Sequence, residues 1–162
     1  MAGQLFDELF ERIKNDHENI QELLEQLRRT GANHYRRRMG LLMSLREQLE
    51  PHMRAEEHVI YPVLRVDEET DEDALDAVEE HHMAQILLDE LEMLPATNEH
   101  WGAKLRVLKD LISRHIDEEE NRIFDDIREV VASDKQLQLA RQFIEAKTGA
   151  LYAAVKPLEH FQ

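Results

Sequence analysis

Six polar side chains occupy positions where a helical chain should be apolar, and they recur as a set. His17 and His81 lie 64 positions apart, His52 and His115 lie 63 apart, and Glu56 and Glu119 lie 63 apart. Neighbouring letters agree. Asp16-His17 answers Glu80-His81, Gln21 answers Gln85, and His52-x-x-x-Glu56-Glu57-x-x-Ile60 answers His115-x-x-x-Glu119-Glu120-x-x-Ile123. Such a chain must fold its two halves into related shapes that bring both sets to the same depth.

Those shapes are helical. Apolar residues recur at steps of three and four, with no convincing period-two segment. Turn chemistry clusters at Thr30-Gly31-Ala32-Asn33, in the acidic run 67–73, at Leu94-Pro95-Ala96-Thr97-Asn98 and at Ala132-Ser133. Helices are therefore expected near 4–29, 35–65, 71–93, 98–131 and 134–154, with Thr70/Asp73 and Ser133/Gln136 as capping boxes. Four long helices joined by short loops imply an all-α fold, an up-down-up-down antiparallel four-helix bundle over residues 1–131. A fifth, C-terminal helix within 132–162 carries its own stripe of Leu137, Ala140, Phe143, Ile144, Leu151 and Tyr152. That stripe must be buried on the bundle or on a second copy in a homodimer. The acidic run reads as a solvated linker and helix start, where negative charge favours the helix dipole.

The expected buried seams expose the anomaly. The first helix presents Phe6, Phe10, Ile13, His17, Ile20, Leu24 and Leu27; the second presents Met39, Leu42, Leu45, Leu49, His52, Glu56, Val59 and Val63. The third presents Ala74, Val78, His81, Gln85 and Leu88; the fourth presents Trp101, Leu105, Leu108, Ile112, His115, Glu119, Ile123 and Ile127. Every helix of the bundle thus puts a histidine on its buried face, and two add a glutamate one turn later. Buried carboxylates cost several kcal/mol unless positive charge sits between them. Four imidazoles and two carboxylates converging at mid-height are what a pair of divalent metal ions requires, and the i, i+4 spacing stacks His52 with Glu56 and His115 with Glu119.

Composition narrows the chemistry. The chain has no cysteine, which excludes disulfides, iron–sulfur clusters and thiolate zinc sites, so nitrogen and oxygen must hold any metal. With 35 Asp+Glu against 20 Lys+Arg, the net charge is −15. Such a field opposes nucleic acid or an anionic membrane as partner. Asp7 and Glu8 stand where a signal peptide needs a basic flank, and no apolar run approaches membrane-spanning length. A cytoplasmic location is the expectation.

Four segments, in order, resemble the hemerythrin-like, or HHE cation-binding, family: Asp16-His17-Glu18-Asn19-Ile20, the stretch from His52 through Glu56-Glu57-His58 to Pro62, Glu79-Glu80-His81-His82, and His115 through Glu119-Glu120 to Phe124. The resemblance covers roughly residues 5–130 and implies a non-haem di-iron centre, two Fe ions bridged by two carboxylates and an oxo or hydroxo group. Carried over by position, Glu56 and Glu119 would bridge, one iron would take His17 and His52, and the other His81 and His115. The donor set also accepts Mn or Zn.

The departures bear on activity. Oxygen-carrying hemerythrins have a fifth histidine where this chain has Gln85, and their last carboxylate lies five residues after its histidine. Four helical residues turn through about 40° and five through about 140°, which selects Glu119 over Glu120 and Glu56 over Glu57. Glu57, Glu120 and His82 are then outer or surface groups. Each iron would keep one open position, with Gln21 or Gln85 available as a weak donor, and Ile20, Leu49, Val59 and Ile123 would wall the site. The first expectation is a protein whose centre binds oxygen or a related small oxidant, for sensing, storage or supply. The alternatives are an enzyme consuming peroxide or nitric oxide, and a structural metal bundle docking a partner through the fifth helix. Tyr61 and Tyr35 are read as packing in preference to an electron relay, His34, His100 and His160 as exposed, and Pro51 as a loosening of the helix just before His52.

Overall fold

A computed structural model describes residues 2–66 and 68–155, with side-chain surroundings for 6–66, 68, 70–149. Asp67, His160 and the side chains of Leu151 and Tyr152 lie outside these.

The described residues form helices and turns without strands. Helix α1 spans Ala2–Arg29 and a 3-10 turn spans Ala32–His34. Helix α2, Tyr35–Ala55, passes through a π-turn, Glu56–Ile60, into α3, Tyr61–Leu64. After α4, Glu68–Met93, the pattern repeats: α5, Glu99–Glu118, a second π-turn, Glu119–Ile123, and α6, Phe124–Val130. The last helix, α7, covers Ser133–Val155. Counting α2–α3 and α5–α6 each as one rod, four rods make the bundle, and α7 lies against α1, α2 and the first π-turn. Leu139, Ala140 and Phe143 of α7 are buried in a cluster with Phe6, Phe10 and Phe124.

The core is divided along the bundle axis. One apolar cluster gathers Phe6, Leu9, Phe10, Ile13, Ile60, Leu64, Phe124 and Ile127; the other gathers Ile20, Leu24, Leu27, Leu45, Leu88, Trp101, Leu105 and Leu108. Between them lies a layer of buried His17, His52, Glu56, His81, His115 and Glu119. The far end is tied by Arg38, whose guanidinium donates to Thr30 O at 2.8 Å and Ala96 O at 2.5 Å while stacking 4.5 Å over the Trp101 ring.

Several local expectations are corrected. Helix α4 begins before Thr70, whose hydroxyl donates to Leu64 O instead of capping a helix with Asp73. Gln136 does not complete a box with Ser133; its amide donates to Val131 O. Helix α2 runs unbroken through Pro51, and α geometry is left five residues later, at Glu56. The π-turns have the largest consequence. Tyr61 N–H bonds to Glu56 O, and Phe124 N–H to Glu119 O, each five residues back. A turn so closed holds one residue more than an α turn. Beyond Glu56, Ile60 and Leu64 are buried at ordinary helical spacing, as Ile123 and Ile127 are beyond Glu119, where Val59 and Val63 were expected and are only partly buried. The π-turns add the residues five positions on, Tyr61 and Phe124, to the buried face.

Candidate metal centre

All six residues singled out by the repeat converge in the middle layer, none more than 4% exposed, and Glu56 and Glu119 are fully enclosed. Their ligand atoms form two groups. His17, His52, Glu56 and Glu119 make one, and Glu56, His81 and His115 make the other, with atoms in each group within 4.8 Å of one another. Glu56 belongs to both: Oε1 lies 3.0 Å from His52 Nε2, and Oε2 lies 3.5 Å from His81 Nε2. Glu119 leans to one side, with Oε2 3.2 Å from His17 Nε2 and 3.8 Å from His115 Nε2.

A second ring of carboxylates fixes the imidazoles. His17 Nδ1 meets Glu120 Oε1 at 2.7 Å, His81 Nδ1 meets Glu57 Oε1 at 3.0 Å, His115 Nδ1 meets Glu80 Oε2 at 2.9 Å, and His52 Nδ1 meets Asp16 Oδ2 at 3.3 Å. These contacts obey the sequence repeat, since Glu57 answers Glu120 and Asp16 answers Glu80. With Nδ1 of every ring occupied outward, every Nε2 points to the centre, the arrangement that orients histidine toward a metal. Of the two places the sequence allows Glu57 and Glu120, outer group or surface, both take the outer one, whereas Asp16 and Glu80 are given no role by the sequence reading. The signal was present as an acid directly before His17 and His81 and directly after Glu56 and Glu119.

Inside the ring, His17 Nε2, both carboxylate oxygens of Glu56 and Glu119 Oε2 are buried without a hydrogen-bond partner. Orphaned polar atoms, three of them on carboxylates, are expensive to bury, and imidazole nitrogen with carboxylate oxygen is a donor set suited to a divalent cation. The residues present therefore fit a metal ion. The charges respond to one another. Burial would lower the His52 value, but Glu56 and Asp16 outweigh it and raise it to about 10. His115 is likewise raised, against its burial, by Glu80 and Glu119. Burial would raise Glu119, yet the rings of His17 and His115 bring it down to about 2.

Tyr61 is the residue the sequence reading misplaced. Its hydroxyl sits in the layer, 3.3 Å from His81 Nε2, 3.4 Å from His115 Nε2, and donating to Glu119 Oε1 at 3.2 Å. Burial, then the charges of Glu119 and Glu56, push its pKa well above the usual phenol value. Gln85 donates outward to Glu50 and Asp89, and Gln21 is exposed. His34, His82 and His100 are exposed, as is Tyr35. Two surface pockets flank the layer. One of 290 Å³ reaches His17 and Glu120 between α1 and α5; one of 370 Å³ reaches His81 and Glu57 between α2 and α4. No described helix is long and apolar enough to cross a membrane.

Known proteins share this architecture. Residues 8–127 match the hemerythrin HHE cation binding domain. A DNA nickase of Nostoc sp. (strain PCC 7120) is 25% identical over 136 residues, which cover 84% of this chain but only 38% of that relative's length. The crystal structure of a hemerythrin HHE cation binding domain-containing protein from Mycobacterium kansasii superposes with a TM-score of 0.69 at 26% identity, covering 88% of this chain and 89% of that one. The match spans most of the bundle, and the chain belongs to the hemerythrin HHE cation-binding domain family.

Proposed function

We propose that His17, His52, Glu56, His81, His115 and Glu119 hold two iron ions, Glu56 and Glu119 shared between them, in a centre that handles oxygen or a related small oxidant. The observation that carries this reading is the four-fold pattern of imidazoles held at Nδ1 by carboxylates, around carboxylate oxygens left without partners. Iron bound there would supply redox chemistry toward oxygen or peroxide. The chain's own residues do the rest. Asp16, Glu57, Glu80 and Glu120 fix ring orientation and tautomer. Apolar layers above and below exclude water, and the flanking pockets bring small molecules near His17 and His81.

One observation favours a second reading, an enzyme that consumes peroxide. The Tyr61 hydroxyl is a buried hydrogen-bond donor held on the His81/His115 side and donating to Glu119 Oε1, where a reaction reducing peroxide needs a donor to the oxygen atoms that separate. Metal analysis combined with optical spectra under nitrogen, air and peroxide separates the readings. A band that appears and disappears with oxygen supports binding, sustained peroxide loss supports the enzyme, and inert metal refutes both. Loading of two metals that survives Glu56→Ala combined with Glu119→Ala refutes the ligand set.

A further inference from the structure

The four outer carboxylates are not anchored alike. Glu57 and Glu120 are about one-third exposed, at 33% and 29%. Glu80 takes Arg114, a neighbour of His115 on α5 and itself 61% exposed. Asp16 is the most enclosed, at 11%, and its partner comes from outside the four-rod bundle: Lys147 Nζ of α7 donates to Oδ2, the same oxygen that meets His52 Nδ1. Lys147 lies beyond the residues that match the family domain. The helix carrying it is seated by Leu139, Ala140 and Phe143 against α1 and α2.

We propose that Lys147 is a positioning residue of the metal centre, acting through Asp16 on His52, so that the C-terminal helix is a working part of the site. The proposal rests on the six-ligand reading above. Lys147 contributes in two ways. Its ammonium fixes the Asp16 carboxylate in one orientation, which fixes the His52 ring. By sharing Oδ2 it also weakens that oxygen as an acceptor, so the His52 N–H keeps its proton more fully and the ring donates less electron density through Nε2. Without Lys147, His52 becomes a more electron-rich but less well-held ligand. The coupling is reciprocal: iron beside His52 stabilises the seating of α7, and seating of α7 strengthens iron binding.

The test uses the full chain as wild type, Lys147→Met, Lys147→Gln, Lys147→Arg, Asp16→Asn and Lys147→Met with Asp16→Asn. Ferrous affinity is read by chelator competition under nitrogen, the midpoint potential by optical titration, and the seating of α7 by amide hydrogen exchange with and without iron. Lys147→Met and Lys147→Gln should each weaken one of two irons about tenfold, the size of effect typical of a lost outer partner, and lower the potential. Lys147→Arg should restore both, and the Lys147→Met effect should shrink below about twofold on Asp16→Asn, where its route is cut. Iron should slow exchange in α7 of the wild type and less so in Lys147→Met. If Lys147→Met fails to fold, Lys147→Gln decides. Unchanged affinity and potential in the charge-free variants, or an undiminished effect on Asp16→Asn, overturns the proposal while leaving the ligand set intact. Wild type that loads no metal overturns both.

Discussion

The His17/His52 half and the His81/His115 half of the buried layer descend from the same letters, yet their neighbours differ. In the first, His17 packs 6.4 Å from the Phe124 ring, Glu119 leans in, and Asp16 is locked by α7. In the second, the position equivalent to Phe124 is Tyr61, whose hydroxyl reaches both imidazoles, and the outer carboxylate Glu80 leans on a solvent-exposed arginine. The repeat thus supplies two similar pockets for donors. Single substitutions around them give one an aromatic wall and the other a buried hydroxyl that donates a hydrogen bond. In this reading, two nearly equivalent positions acquire unequal chemistry without any change in the ligands themselves.

The largest effects should come from the carboxylates that join the halves. Glu56 faces His52 with one oxygen and His81 with the other, whereas Glu119 is weighted toward His17. Glu56→Ala is expected to abolish loading of both metals, and Glu119→Ala to leave a single metal per chain, as counted by metal analysis after desalting. Equal loading in the two variants would show that the asymmetry of Glu119 has no bearing on binding.

Tyr61→Phe makes the halves alike. It removes a hydrogen bond to a buried carboxylate, so the metal-free protein should lose about 2 kcal/mol in urea denaturation, and the metal-loaded protein should change its optical spectrum and its rate with peroxide. Phe124→Tyr is the converse. It buries a second hydroxyl near His17 and should cost about 1–3 kcal/mol if no acceptor is found. A Tyr61→Phe protein identical to wild type in stability and spectrum would reduce Tyr61 to packing.

Protons give a third comparison, between the metal-free and metal-loaded states. His52 in the folded metal-free chain is raised to about 10 from an ordinary 6.5. Its contribution to stability is then fully present below about pH 6.5 and is lost as pH rises through 10. Glu119, lowered to about 2 from 4.5, contributes above about pH 4.5 and loses that contribution as pH falls through 2. Denaturation with a chelator present should therefore show the advantage of wild type over His52→Asn shrinking between pH 7 and 10. Metal uptake at pH 7 should release protons, because a ligating imidazole must give up the one it holds. An advantage that stays constant with pH would remove His52 from this account.

Much of this was legible from periodicity. Phe6, Phe10, Ile13, Ile20, Leu24 and Leu27 are buried as their spacing requires, and four histidines with two glutamates meet because each lies on such a stripe. What escaped did so for a physical reason. A rule of 3.6 residues per turn carries no term for an i→i+5 turn, so it hides Tyr61 five residues beyond Glu56. Val59 and Val63 are the i+3, i+7 choice where the equally helical i+4, i+8 pair, Ile60 and Leu64, takes the core. Pro62, which lacks an N–H and directly follows Tyr61, was the local cue to irregular pairing there; no proline marks the second π-turn. Asp16 and Glu80 escaped, and the partners of Glu57 and Glu120 with them, because each reaches a histidine on another helix, and spacing along one helix does not report which neighbour lies across a groove. Lys147 is 131 positions from Asp16, a pairing that only the packing of α7 creates.

The smallest expected effect separates anchoring by burial from anchoring by charge alone. Arg114 donates to Glu80 at 2.7 Å, and Glu80 in turn holds His115, so on paper Arg114 stands to its half as Lys147 stands to the other. Their surroundings differ. Arg114 is 61% exposed and Lys147 is 24% exposed, and an ion pair in water is screened and worth about 0–1 kcal/mol. Arg114→Ala should therefore shift metal affinity by no more than about threefold and lose even that effect in about 0.5 M salt, where charges in water no longer sense one another beyond a few ångströms. Lys147→Met should keep its larger effect in the same salt, because Asp16 is shielded beneath α7. Should the two substitutions respond alike to salt, the difference between the halves at this depth would be one of sequence only, without energetic consequence.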